Sequence, residues 1–180
     1  PWVMITMAVI QMFFLILINF YENPFDPVQK GMVVNGQGLN PLLQHWAMVL
    51  HPPALYLGFI GFSVPFAFAM AAIITKNLDA VWIQTTRRWT LMTWVLLTIA
   101  IIMGGKWAYV ELGWGGYWAW DPVENASLLP WLTATAYLHS VLIQEKKNML
   151  RLWNMILIML TFTLTIFGTY LTRSGIVSSV

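Results

Sequence analysis

The chain has 180 residues, 59% hydrophobic and 9% charged, with a mean hydropathy of +0.69. A soluble domain carries about 25% charged residues, so this composition excludes one and specifies a membrane protein, while a net charge of +2 is too small to suggest nucleic acid as a partner. With no cysteine, neither a disulfide framework nor a thiolate metal site can form.

Five apolar runs of roughly 15–22 residues recur, where about 20 apolar residues at about 1.5 Å each cross a hydrocarbon core. They predict an all-α, polytopic transmembrane bundle of about five spans in one membrane domain, residues 1–180. The first runs from Trp2 to Phe20. It has neither an initiator methionine nor a charged leader, so it reads as a span rather than a signal peptide, and the chain as a piece of a longer protein. Asn-Pro and Asp-Pro dipeptides in Tyr21–Pro27 stop it. A polar, glycine-rich loop follows to Asn40.

Pro41–Leu50 has the spacing of a short amphipathic helix lying on the membrane surface. Tandem proline suits the first turn of a helix, so the second span is expected from Pro53 to about Thr75, with His51 just outside its mouth. Lys76–Arg88 reads as a polar connection, Trp89 to about Met103 as a short third span, Ala126 to Ile143 as the fourth, Glu145–Arg151 as a loop and Leu152–Leu171 as the fifth. Lys76, Arg87, Arg88, Lys146, Lys147 and Arg151 fall on one side, against Lys30, Lys106 and Arg173 on the other. By the positive-inside rule the first group is cytoplasmic. The loop at His51 and the tryptophan-rich stretch at 106–125 are then both external and able to face each other.

That stretch is the densest in the chain. Asp121-Pro122-Val123-Glu124 has the form of a capping box: Asp121 at the N-cap, Pro122 at the first helical position and Glu124 reaching back. Trp114, Trp118 and Trp120 can form an ordinary interfacial belt. Interleaved with Gly113, Gly115 and Gly116, alternate tryptophans would instead line one side of an extended segment and make a shelf for a flat apolar ligand.

His139 lies 13 residues beyond Ala126, about 20 Å further along a helix. An ionisable residue there is either a neutral imidazole bonded to a neighbour such as Thr135 or to a backbone carbonyl, or an axial ligand for haem. His51 and His45 are, by periodicity alone, more often structural. Carboxylates within the spans and internal repeats are both missing, which argues against an ion-coupled transporter.

WGGYWAWDPVENASLLPWL, together with GLNPLLQ (38–44), HPPALYLGFIGF (51–62), LHS (138–140) and GTYLTRSG (168–175) in the same order, resembles the cytochrome c assembly family. Within it the match is to the CcmF/NrfE-type haem lyase branch. The resemblance implies a WWD-type external platform formed by Trp114, Gly115, Gly116, Trp118, Trp120, Asp121, Pro122, Glu124 and Asn125. It implies that His51 is one of two external ligands to the haem being delivered, and His139 one of two intramembrane ligands to a resident haem b. The partner ligands are expected beyond Val180. Tyr117 and Ala119 stand where bulkier aromatics are usual.

The activity implied is thioether formation between haem and the CXXCH thiols of apocytochrome c, on the periplasmic face of a bacterial inner membrane. The chain offers no nucleophile, because the thiols arrive on the substrate. A haem chaperone, other maturation subunits, quinol and membrane lipid are the implied partners. A non-catalytic haem-handling subunit of the same family (CcmC- or CcsA-like) would carry a similar platform without His139, and a transporter or purely structural subunit is the remaining alternative.

Overall fold

The computed structural model describes residues 1–21, 23–25, 36, 38–79, 81–113 and 115–177, and among these all regular secondary structure is helical. The elements are α1 (Trp2–Phe20), a single 3-10 turn (Pro41–Leu43), α2 (Trp46–Gly61), α3 (Ser63–Ile74), α4 (Val81–Glu111), α5 (Pro122–Lys147) and α6 (Arg151–Arg173). With α2 and α3 taken as one span, five helices are long and apolar enough to cross a membrane.

The first span has the expected bounds, but the second does not. Pro41–Leu43 is only a 3-10 turn, capped by the Asn40 side chain, and α2 starts at Trp46 and runs through His51, Pro52 and Pro53 without a break. His51 therefore sits inside a helix rather than outside its mouth. Each proline lacks the N–H that would bond four residues back, a loss that membrane helices tolerate when a neighbouring helix holds the segment. Here α4 does so, at Gly58 and Gly61, where a Cβ would come within 2.9 Å of Leu97 Cβ and 2.5 Å of Thr93 Oγ1. The true break is at Phe62. Pro65 leaves the Gly61 carbonyl without its helical donor, and Trp89 Nε1–H of α4 donates to it at 2.8 Å.

The third span is also longer than its apolar run. α4 has 31 residues, about 46 Å at 1.5 Å each, so its ends extend beyond a hydrocarbon core of about 30 Å. Arg87, Arg88 and Lys106 to Glu111 are helical as a result, and the non-helical part of the tryptophan-rich stretch among the described residues is 112–113 and 115–121. The connection between α5 and α6 shrinks likewise to 148–150, with Asn148 and Leu150 left-handed.

α2 packs along α4 and α5 along α6, and α3 joins the two pairs. Phe66 of α3 stacks on Phe162 of α6 with ring centroids 4.3 Å apart. Small residues bring α5 and α6 together: Pro130 frees the Ala126 carbonyl, and a Cβ on Gly168 would lie 2.9 Å from that oxygen. Two tryptophans tie α4 to α5, as Trp94 Nε1–H donates to Thr135 Oγ1 at 2.9 Å and Trp131 Nε1–H to Thr98 Oγ1 at 2.8 Å. Arg87 pairs with Glu145 at 3.0 Å, which places the α3–α4 and α5–α6 connections on the same side. α1 leans on α3 and buries none of its own residues.

A histidine pocket beneath the tryptophan-rich loop

At the opposite end of the bundle α2, α4, the 112–121 loop, the start of α5 and the end of α6 enclose a pocket of about 310 Å³, lined mainly by apolar groups. His51 opens onto it. Its Nδ1 lies 2.7 Å from the Ala100 carbonyl. A carbonyl only accepts, so Nδ1 carries the proton and the lone pair of the neutral ring is on Nε2. The ring fits because residue 104 is glycine: a Cβ there would lie 2.6 Å from His51 Cε1. Gly105 beside it admits the Tyr117 carbonyl, 2.8 Å from where its Cβ would be. These two glycines are site residues that the linear pattern did not single out, although adjacent glycines inside a helical stretch signal a close approach.

The expected capping box is present. Asp121 Oδ2 accepts from Val123 N at 2.8 Å, and Glu124 Oε2 accepts from Ala119 N at 2.9 Å and Asp121 N at 3.3 Å. Asn125 Nδ2–H donates to the Trp120 carbonyl at 3.0 Å. Glu124 and Asn125 thus lace the loop onto the first turn of α5, with Pro122 opening that turn. The loop itself is not an extended shelf. Gly113, Gly115 and Trp120 all have positive φ, of 65°, 73° and 60°, and such turns rotate successive side chains off a common face. Trp118 lines the pocket while Trp120 is 72% exposed, their rings meeting edge to face at 87°. Gly116 is half-buried beside them, and Tyr117 stacks on Tyr109 of α4 at 4.5 Å. Trp114 lies outside the described residues.

His139 is not part of this pocket. It faces outward from α5, and its Nδ1 lies 2.8 Å from the Thr135 carbonyl, one of the bonds expected for a structural imidazole. That bond and metal ligation are compatible, because it fixes the tautomer that leaves the Nε2 lone pair exposed. His45 is accounted for without any ligand: its Nδ1 accepts from Ala47 N at 3.2 Å and caps α2. Tyr56, Trp107, Thr169 and Thr172 complete the wall; Trp107 Nε1–H also donates to the Leu42 carbonyl at 2.9 Å, anchoring the 3-10 turn. Tyr56, Thr169 and Thr172 fall in two of the stretches that carry the family resemblance, whereas Trp107 does not.

The donor set suits haem. His51 and His139 each offer one nitrogen lone pair, and among the described residues no three His, Asp or Glu side chains converge as an ion site. A porphyrin needs only axial donors from the protein, and the pocket at His51 adds an apolar, aromatic wall.

The arrangement is that of a polytopic membrane protein presenting a histidine beneath a tryptophan-rich loop. The family model described as cytochrome C assembly protein matches residues 1–177, and the chain belongs to that family. It is 51% identical to the cytochrome c-type biogenesis protein CycK of Bradyrhizobium diazoefficiens over 93% of this chain and 25% of that protein. It is 46% identical to the cytochrome c-type biogenesis protein CcmF of Escherichia coli over 99% of this chain and 28% of that protein. A solved structure titled cytochrome c heme lyase CcmF superposes with a TM-score of 0.82 at 43% identity, covering 97% of this chain and 27% of that one. The chain spans about a quarter of the length of these relatives.

Proposed function

We propose that this chain forms the haem-holding portion of a cytochrome c haem lyase. The observation that carries the reading is His51, whose Nδ1–H is committed to Ala100 and whose Nε2 lone pair is left for an iron in the pocket under the tryptophan-rich loop. Six basic residues on the side of the short connections, against three opposite, put those connections in the cytoplasm and the pocket on the periplasmic face of a bacterial inner membrane.

The haem delivered there is substrate. Each cysteine thiol of the apocytochrome CXXCH segment adds across a vinyl group: a C–S bond forms, the thiol proton goes to the other vinyl carbon, and nothing leaves. The protein's contribution is orientation, which supplies several kcal/mol when partners are held in register. His51 fixes the iron, Trp118 bounds the ring, and the Asp121 and Glu124 cap holds the loop over it. His139 would hold one face of a resident haem b, whose chemistry when bound is one-electron transfer, with quinol as the electron source. Its exposed side on α5 is where a second ligand from a longer chain would arrive. Apocytochrome c, a haem chaperone and further maturation subunits are the partners this reading requires.

The test is a visible spectrum of the purified full-length protein with two variants. His139→Ala is expected to abolish the b-type bands; a variant that kept them unchanged would refute the ligand assignment. His51→Ala is expected to keep those bands and stop cytochrome c maturation. Haem retained with no thioether formed by the wild type, even with all maturation subunits present, would point instead to a carrier.

A further inference from the structure

Next to the pocket wall, though not itself lining the pocket, stands a cation that the reading above leaves unused. Arg173, the last residue of α6, is exposed and donates from Nη2 to Tyr56 Oη at 3.1 Å. A basic residue in the last turn of a helix is ordinarily explained by that helix's own carbonyls. Here the bond crosses to α2 instead, and Tyr56 is a wall of the same pocket that His51 opens onto, as is Thr172 beside Arg173. Asp121 and Glu124, on the pocket wall, accept from backbone N–H groups of the loop and of α5, and the Arg87–Glu145 ion pair lies at the far end. Among the described residues the other lysine or arginine at this end, Lys106, lies over the Trp46 ring with Nζ 5.1 Å from its centroid.

We infer that Arg173 and Tyr56 form a carboxylate anchor for the ligand of this pocket, taking the acid side chains of the delivered porphyrin; this rests on the reading that His51 holds that haem. A flat ligand with an apolar body and carboxylates at one edge must turn that edge away from the apolar wall. By accepting from Arg173, the Tyr56 hydroxyl keeps its own proton to donate. A carboxylate at the junction therefore meets a phenol O–H and the free N–H groups of a planar guanidinium, a charge-assisted pair of donors. With the iron bound to His51 and the acid edge at Arg173, rotation of the ring in its own plane is fixed and its vinyl-bearing half is turned away from Arg173.

The test compares iron protoporphyrin IX with its dimethyl ester, titrated into the full-length detergent-solubilised protein and read as a Soret difference over the resident haem. The wild type is expected to favour the diacid about tenfold. Arg173→Gln and Tyr56→Phe shrink that preference toward unity, Arg173→Lys restores part of it, and Lys106→Gln leaves it intact. His51→Ala weakens both probes by the same factor and preserves their ratio. If Arg173→Gln and Tyr56→Phe both keep the wild-type ratio, or Lys106→Gln abolishes it, the anchor is refuted. If His51→Ala affects neither probe, it is the assignment of the pocket to haem that fails. Tyr56→Phe, which removes one oxygen and no bulk, serves where Arg173→Gln does not fold.

Discussion

Replacing Gly104 with alanine tests whether packing of α2 on α4 sets the position of the His51 imidazole. The added Cβ would lie 2.6 Å from Cε1 and 2.9 Å from Nδ1, where ordinary contact begins at 3.4 Å, so the ring must retreat by about 0.8 Å. Its 2.7 Å bond to the Ala100 carbonyl then stretches beyond hydrogen-bond range, a loss of about 1 kcal/mol. Overpacking adds about 1–3 kcal/mol. A haem that needs Nε2 in its original place must restore the strained position, so its affinity is expected to fall about 10- to 100-fold. Gly61→Ala is the control, because its Cβ would lie 2.5 Å from Thr93 Oγ1 in the same helix pair but away from the pocket. It is expected to lower thermal stability to a similar degree while leaving haem affinity at His51 unchanged. Both variants are read by Soret titration and by thermal unfolding of the full-length protein in detergent. Wild-type affinity in Gly104→Ala, or an equal loss of affinity in Gly61→Ala, would refute the reasoning.

The reciprocal indole–hydroxyl bonds between α4 and α5 are expected to act as a coupled pair. A double-mutant cycle of Trp94→Phe and Thr135→Val, measured by unfolding in mixed micelles, should give a coupling of about 0.6 kcal/mol and not above about 1.7 kcal/mol; additive effects would mean that the bond at 2.9 Å contributes nothing. Asp121→Ala removes the cap of α5 and should cost about 1 kcal/mol, with Asp121→Asn close to neutral. Hydrogen exchange at the Val123 amide is the direct readout, since Asp121 Oδ2 is its acceptor, and unchanged protection in Asp121→Ala would count against the cap.

What could be foreseen from the sequence was what depends on neighbours along the chain. The bounds of α1 follow from a largely apolar, uncharged run between Pro1 and the Asn-Pro turn, and the capping box follows from four consecutive residues. Two local rules failed for physical reasons. The rule that tandem proline begins a helix assumes that lost backbone bonds have no other compensation, whereas α2 is held by α4 across Gly58 and Gly61. Counting apolar residues underestimated α4 because a helix continues past the hydrocarbon core into water, where Arg87, Arg88 and Lys106 are no obstacle to it. The tryptophans misled in another way, since alternation implies one face only if the backbone stays extended, and three positive φ values in the loop show that it does not. The pocket itself is a pairing of distant segments. His51 and Gly104 are 53 residues apart, and only the packing of α2 on α4 makes a glycine necessary opposite a histidine.

α5 fixes the spacing between the two histidine sites. Its cap lies under the pocket, and His139 follows 18 residues after Asp121, which is five turns and about 27 Å of helix. A shift of one residue along the helix would rotate the His139 ring relative to the cap by about 100°. Such a spacing is useful only if the helix is stiff, and Pro130 in its middle works against that. The structure braces α5 on both sides of the proline. Gly168 brings the α6 backbone onto the carbonyl that Pro130 leaves free, and the paired tryptophan bonds clamp Trp131 and Thr135 to α4. Thr135 supplies both a hydroxyl to the clamp and its carbonyl to the His139 ring. A helix that merely crosses a membrane has no need of either brace. One that holds the pocket and the His139 ring at a set distance uses both.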